Sequence, residues 1–259
     1  MVPDSRMKNN IAYRTDQLAR YFTTHRVAWD QFYESERVII GQLQLDRRCE
    51  ILDVGCGCGG LGLALRDRFG VEHYTGVEIN PLAAGAGREM NPEAEILCGD
   101  ILDLSRGALH GKCYDVVFSL SCVDWNVRFS DMLAATWGHV RPGGHLVATF
   151  RLVADSGCDD FERSYQFINY EGLKEGERAA YVVLNASVLM HTLGRLNPST
   201  ISAFGYWGVP SATAVTPYEK LCFSAFSIRK RQDHDSAPLK LSLDLPADLM
   251  DSTGLRLKD

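Results

Sequence analysis

The sequence contains no apolar run approaching the roughly 18 uncharged residues of a membrane-spanning helix, so a helical membrane protein is excluded. Its first residues lack the apolar stretch of a secretory signal, and the expected address is cytoplasmic. No single-residue tract and no repeat of 20 to 50 residues is present, which removes solenoids, fibres and disordered linkers. Basic residues are not in excess. With 27 Lys and Arg against 33 Asp and Glu, and a formal net charge of -6, the surface is poorly suited to neutralising a phosphate backbone, so nucleic acid is disfavoured as a partner. The 8 cysteines are scattered, and only Cys56 and Cys58 form a CxC pair. No second pair at zinc-site spacing accompanies them, so no metal is expected and the thiols read as reduced.

What remains is a chain of 259 residues, 46% hydrophobic and 23% charged, large enough to bury a core of its own. An aromatic stretch, Tyr21, Phe22, Trp29, Phe32 and Tyr33, has spacings that suit one face of a helix. Residues 1–45 are therefore expected to be an N-terminal helical cap packed on the core; a lid over a ligand is the alternative.

From Glu50 onward short apolar runs alternate with helical patterns, the signature of a parallel sheet covered on both faces. Strands are expected at 50–54, 73–78, 95–98, 114–119 and 145–152, with helices at 60–69, 81–90 and 130–140. Pro142-Gly143-Gly144 reads as a stop and turn. A charged, aromatic-dotted insertion at about 153–184 follows, then a helix at 186–196 capped by Asn185, and two strands at 200–207 and 220–228 whose short connection suits antiparallel pairing. The expected fold is α/β, a Rossmann-like, seven-stranded, mostly parallel sheet with helices on both faces and an antiparallel last strand. It divides into the cap, a main domain at 46–230 and a tail at 231–259 of unpredictable order.

The most informative segment is Ile51-Leu52-Asp53-Val54-Gly55-Cys56-Gly57-Cys58-Gly59-Gly60, a strand running into a glycine-rich turn and a helix start. Such a turn lets a ligand approach the backbone, and the amides at the helix start face it. Asp53 ends the strand, where a carboxylate can organise the loop or meet a cation. Glu78 ends the next strand, where an acid can accept both hydroxyls of a ribose. Gly99-Asp100-Ile101 follows the third, placing an acid and an apolar side chain where an adenine amino edge and ring would lie.

These features, with the Tyr114-Asp-Val-Val-Phe-Ser119 strand, resemble the class I S-adenosylmethionine-dependent methyltransferases over residues 45–152. The resemblance implies S-adenosyl-L-methionine as cofactor and S-adenosyl-L-homocysteine as product. Gly55, Cys56, Gly57 and Gly59 would underlie the methionine part, with Asp53 beside them. Glu78 would take the ribose, Ile79 would flank the adenine, and Asp100 with Ile101 would hold its amino edge and face. Ser119 and Leu120 would border the methionine moiety. The competing reading is an NAD-dependent oxidoreductase, because Gly55-x-Gly57-x-x-Gly60 also fits the dinucleotide fingerprint. Asp53 and the Gly99-Asp100 pair argue against it.

Methyl transfer from a sulfonium asks for in-line approach, exclusion of water and sometimes a base. After the fourth strand, Ser119-Leu-Ser-Cys122-Val-Asp124-Trp125-Asn126 contains no Asn-Pro-Pro-Tyr tetrapeptide, and no Pro-Cys pair presents a nucleophilic thiol. Asp124 is the candidate base, and Trp125, Tyr170 and Trp207 are candidate substrate contacts. Arg163, Tyr165 and Asn169 in the insertion suit a hydroxylated metabolite. His139, His145 and His191 read as structural. The expected activity is methylation of a small or carbohydrate-like acceptor, with oxygen favoured over nitrogen. The alternatives are a cofactor-binding protein without transfer, acting as a partner, or methylation of RNA or protein.

Overall fold

A computed structural model describes residues 16–169 and 171–252. Its elements begin with two short helices, Gln17–Phe22 (α1) and Glu34–Gly41 (α2). Alternating strands and helices follow: Glu50–Val54 (β1), Gly60–Phe69 (α3), His73–Glu78 (β2), Pro81–Met90 (α4), Glu95–Cys98 (β3), Ile101–Leu104 (α5), Tyr114–Ser119 (β4), Phe129–Gly138 (α6) and Val140–Val153 (β5). Beyond these come Tyr165–Phe167 (β6), Arg178–Ala180 (β7), Leu184–Asn185 (β8), Ala186–Arg195 (α7), Pro198–Gly208 (β9), Ala214–Val215 (β10), Leu221–Lys230 (β11), Lys240–Asp244 (β12) and Ala247–Ser252 (α8).

The main sheet runs β12-β9-β11-β5-β4-β1-β2-β3, with β8 added alongside β5. Strands β1 to β5 pair in parallel, and β11 is antiparallel to both β5 and β9. The seven strands expected from the sequence form this frame. The strands β8 and β12 extend it, making nine.

Strand β1 is buried on both faces after Glu50, with Asp53 the one polar side chain among Ile51, Leu52 and Val54. Its neighbouring residues Ile51 and Leu52 point to opposite sides of the sheet. Ile51 joins a layer containing Ile39, Ile40, Leu65 and Phe118, so α2 and α3 cover that face. Leu52 joins Leu133, Phe150, Leu189 and Phe226, so α6 and α7 cover the other. Local chemistry sets the helix ends. Asn80 accepts the amides of Leu82 and Ala83 at the start of α4, with Pro81 in the first turn, and Asn185 accepts the Val188 amide at 2.9 Å to start α7.

Several boundaries correct the sequence reading. The aromatic stretch is not one helix. After α1 the chain passes through Arg26 at φ 61°, a conformation no helix tolerates, and a 3-10 turn at Trp29–Gln31. Gln31 Oε1 accepts the amides of Val27 and Ala28 at 2.8 and 3.1 Å, and Glu36 Oε2 accepts that of Tyr33 at 2.9 Å, so side chains restart a helix at Glu34. Strand β5 begins at Val140 and runs through Pro142-Gly143-Gly144 instead of turning there; its register against β4 shifts between Tyr114 and Val116, and a Cβ on Gly144 would lie 2.6 Å from the Asp115 carbonyl oxygen. Within the insertion β6 and β7 pair with each other, and β10, from the connection between β9 and β11, joins β6 to complete a second sheet, β10-β6-β7. The region from 231 on contributes β12, parallel to β9, and α8. Among the described residues no helix is long and apolar enough to cross a membrane.

Candidate functional site

The carboxyl ends of β1, β2 and β4 open into a cavity of about 470 Å³. Its floor is built by the glycine turn and by acids at the strand ends. Gly55 and Gly57 take φ of 78° and 56°, which side chains rarely adopt. A Cβ on Gly55 would also lie 2.6 Å from Cys122 Sγ.

Glu78 is buried, yet its carboxylate is anchored: Oε2 accepts the Gly57 amide at 2.9 Å and Oε1 accepts the Asn80 amide at 2.8 Å. Burial pushes its carboxyl up to about 7, against those hydrogen bonds. Asp53 accepts the Tyr74 hydroxyl at 2.5 Å, and burial pushes it up to about 6. Asp100 accepts the Leu102 amide at 2.9 Å and starts α5.

The structure brings together Asp53, Gly55, Cys56, Gly57, Glu78, Ile79, Asp100, Ile101 and Leu120 as cavity wall. It leaves out two residues of the expected set. Gly59 is the left-handed cap of α3, and Ser119 is fully buried within β4. The floor fits an adenosine ligand with a charged amino-acid end: two ionisable acids, a third capping a short helix, and side-chain-free backbone between them.

The roof comes from the N-terminal segment. A Cβ on Gly57 would meet the Phe22 ring at 3.4 Å, and one on Gly60 would collide with the Arg26 carbonyl oxygen. Cys58 Sγ lies 3.4 Å from the Ala19 carbonyl oxygen. Arg26 projects into the cavity between the Phe32 and Tyr33 rings, 4.7 and 5.3 Å from their centroids, and pairs with Glu36 at 2.9 Å. The aromatic pattern was the one sequence signal for this roof, and the lid alternative matches where Tyr21, Phe22, Phe32 and Tyr33 lie. Trp29 instead stacks edge-on against Phe69, 5.4 Å away.

The remaining wall carries Trp125, Asn126, Gln166, Phe167, Ser211 and Thr213. Of the insertion residues singled out by sequence, Asn169 lines the cavity, whereas Arg163 and Tyr165 do not. Asn169 also closes its own loop, accepting the Leu173 amide and donating to the Glu175 carbonyl oxygen. Ser121, at φ 51°, turns the chain after β4 and donates its amide to Thr149 Oγ1 at 2.6 Å.

Two candidate contacts, Asp124 and Trp207, fall elsewhere. Asp124 does not line the cavity; its carboxylate is buried against Arg151 at 2.9 Å, because that guanidinium needs a counter-charge inside the fold. Trp207, near the end of β9, does not line the cavity; it donates Nε1–H to Asp248 at 3.0 Å, with the Lys220 ammonium 3.9 Å from its ring centroid. Tyr170 lies outside the described residues. No group of three or more His, Cys, Asp or Glu suited to a metal ion occurs among the described residues.

Comparison with known proteins agrees with this geometry. Residues 51–144 match a family model described as a methyltransferase domain. The chain is 24% identical over 181 residues to trans-aconitate 2-methyltransferase of Deinococcus radiodurans, covering 66% of this chain and 67% of that protein. It is 34% identical over 140 residues to the biotin biosynthesis bifunctional protein BioCD of Bordetella avium, covering 53% of this chain and 29% of that one. It is 30% identical over 131 residues to ribosomal RNA small subunit methyltransferase C of Pseudomonas putida, covering 49% and 35%. The chain thus spans about a third of the length of the last two relatives. Among solved structures, a 1,6-didemethyltoxoflavin-N1-methyltransferase from Burkholderia thailandensis superposes with a TM-score of 0.52 at 16% identity, covering 82% of each chain. A Haemonchus contortus phosphoethanolamine N-methyltransferase gives 0.54 at 12% identity, covering 77% of this chain and 53% of that one. These structural likenesses are of fold.

Proposed function

We propose that this chain, a member of the class I S-adenosylmethionine-dependent methyltransferases, moves a methyl group to a small hydroxylated acceptor, with oxygen favoured over nitrogen as the nucleophile. Its cofactor is S-adenosylmethionine, which supplies an activated methyl group on a sulfonium and leaves as S-adenosylhomocysteine.

The observation that carries this reading is the enclosure of the strand-end cavity between an acidic floor and an aromatic roof. On the floor, Glu78 would accept the ribose hydroxyls, Ile79 and Ile101 would flank the adenine, and Asp100 would take its amino edge. Asp53 would face the ammonium group. Arg26, on the roof, would meet the carboxylate. Leu120 and the glycine turn would complete the methionine end.

The acceptor side supports a small neutral ligand. Asn126, Gln166, Ser211 and Thr213 offer hydrogen bonds without a fixed charge, and Trp125 and Phe167 offer flat apolar surface. A volume of about 470 Å³ sits within the range of small-molecule sites and suits a cofactor with a compact partner. The net charge of -6 disfavours a polynucleotide there.

The test is calorimetric titration with S-adenosylmethionine, S-adenosylhomocysteine and NAD, followed by transfer of radiolabelled methyl to a panel of polyhydroxylated small molecules, total RNA and unmodified protein. Binding of the first two with labelling of a small hydroxylated compound supports the reading. Labelling of RNA or protein alone overturns the acceptor class; binding with no labelling in any pool favours a cofactor-binding protein without transfer. Binding of NAD alone overturns the cofactor.

A further inference from the structure

Four buried side-chain polar atoms have no hydrogen-bond partner among the described residues: Arg37 Nε, Ser119 Oγ, Asp124 Oδ1 and Arg151 Nε. Two of the four belong to one ion pair, whose contact runs through Oδ2 of Asp124 and Nη2 of Arg151. Such a pair is costly to bury. Both charges leave water, each residue keeps one polar atom unpaired, and apolar side chains of similar volume would fill the same space at comparable stability. Stability alone therefore gives no reason for a charge pair here. What the pair supplies and an apolar filling lacks is direction.

The contacts of Arg151 bear on one short stretch of chain. Besides the carboxylate, Nη2 donates to the Asp124 carbonyl oxygen at 2.9 Å, and that oxygen also accepts the Val182 amide at 3.0 Å. The guanidinium packs on both rings of an edge-to-face pair, 3.7 Å from the Tyr181 centroid and 5.0 Å from that of Trp125, the two centroids being 6.2 Å apart. Trp125 ends the 3-10 turn Val123–Trp125, its amide donating to the Cys122 carbonyl oxygen at 3.0 Å. Neither Asp124 nor Arg151 lines the cavity, whereas the next two residues, Trp125 and Asn126, do. The pair thus stands behind the wall and grips its backbone and its ring from a single side chain.

Resting on the reading of Trp125 and Asn126 as acceptor wall, we propose that Arg151 is a positioning residue for methyl transfer. With Asp124 it holds the Trp125 ring in one orientation against the acceptor. It touches no ligand, and no proton moves through the pair. A wall free to shift by about 1 Å would misalign the acceptor oxygen with the methyl group, and misplacement of that order can cost up to about a hundredfold in rate. The acids that face the cofactor stand elsewhere, Asp53 on β1, Glu78 on β2 and Asp100 after β3. Loss of the pair should therefore separate acceptor use from cofactor binding.

The experiment is fluorine NMR of the full chain carrying fluorotryptophan and saturated with S-adenosylhomocysteine, the Trp125 line being assigned with Trp125→Phe. Two variants are compared with the wild type. Asp124→Leu with Arg151→Met removes both charges, and Arg151→Lys keeps a cation without the flat guanidinium. Each is also assayed on the small hydroxylated compound that the wild type methylates fastest. The expected result is a narrow Trp125 line in the wild type that broadens or splits in both variants. With it, kcat/KM for the acceptor should fall about tenfold or more, while affinity for S-adenosylhomocysteine stays within about twofold. A Trp125 line that stays narrow in the variants, or unchanged acceptor kinetics beside a broadened line, would overturn the assignment and leave the proposed function intact. Parallel loss of cofactor affinity and turnover would overturn it too, as the mark of a merely structural pair. If the wild type methylates no small hydroxylated compound, the acceptor reading fails first and takes this role with it.

Discussion

Nη2 of Arg151 lies 2.9 Å from Oδ2 of Asp124 and 2.9 Å from the same residue's backbone carbonyl oxygen, and each side chain is only 5% exposed. The guanidinium is also stacked, 3.7 Å from the Tyr181 ring centroid and 5.0 Å from that of Trp125. One buried cation thereby ties the turn after β4 to β5 and to the end of the insertion. Asp124→Ala strands that charge and is expected to destabilise the protein by about 3–5 kcal/mol in urea denaturation. Asp124→Leu combined with Arg151→Met removes both charges and is expected to recover most of the loss. A double variant no more stable than Asp124→Ala would refute the pairing as the cause.

Cofactor affinity should depend on pH through the floor acids. Burial pushes Glu78 up to about 7 and Asp53 up to about 6, and each accepts hydrogen bonds or a positive charge best when ionised. Affinity for S-adenosylhomocysteine is therefore expected to rise from pH 5.5 to 7, by up to about tenfold per unit, and to level off above it. Glu78→Gln should flatten the upper part of that rise and weaken binding with the fold intact. The sign for stability is opposite. Carboxyls raised on folding stabilise the ligand-free chain below their unfolded values, and that contribution is lost as pH climbs through 6 to 7. Calorimetry and denaturation across this range check both halves.

Gly60 opens a helix with ordinary backbone angles, where alanine would normally be favoured. Here its added methyl would collide with the Arg26 carbonyl oxygen. Gly60→Ala should push the roof away while α3 persists, weakening S-adenosylhomocysteine binding by tenfold or more, about 1.4 kcal/mol. Circular dichroism and calorimetry together separate this from unfolding.

Trp207→Phe removes the hydrogen bond to Asp248 on α8 and keeps the apolar ring. It should leave cofactor affinity unchanged and lower stability slightly, with proteolysis at α8 accelerated. A change in cofactor affinity would return Trp207 to the site.

The parts of this molecule that were legible in the sequence are those specified by neighbours in the chain. Strands β1 to β3 are short, largely apolar runs followed within two residues by glycine or asparagine, and their ends coincide with the expected ones because burial and capping are local facts. Glu78 and Asp100 were legible for the same reason, each ending or following such a run. Asp124 was misread because its partner, Arg151, is brought to it only by the pairing of β4 with β5. Trp207 was misread because α8, which holds it, lies in a region whose alternating Leu241 and Leu243 gain meaning only beside β9. The roof shows a third kind of failure. Helical spacing among Tyr21, Phe22, Trp29, Phe32 and Tyr33 suggested one continuous face, yet the backbone breaks at Arg26, and four of these rings, all but Trp29, face a ligand space from separate short segments.

That break has a kinetic side. The floor belongs to the best-buried strands of the sheet, whereas the roof hangs on short elements held by few contacts: Arg26 with Glu36, Gln31 with two amides, and Phe22 over Gly57. Local opening draws on the least stable units of a fold, so hydrogen exchange is expected to be faster in the roof than in β1, β2 and β4. Exchange of spent for fresh cofactor is expected to require that the roof part, and a burst of product in the first turnover, followed by rapid quench, would mark release as the step that sets the pace.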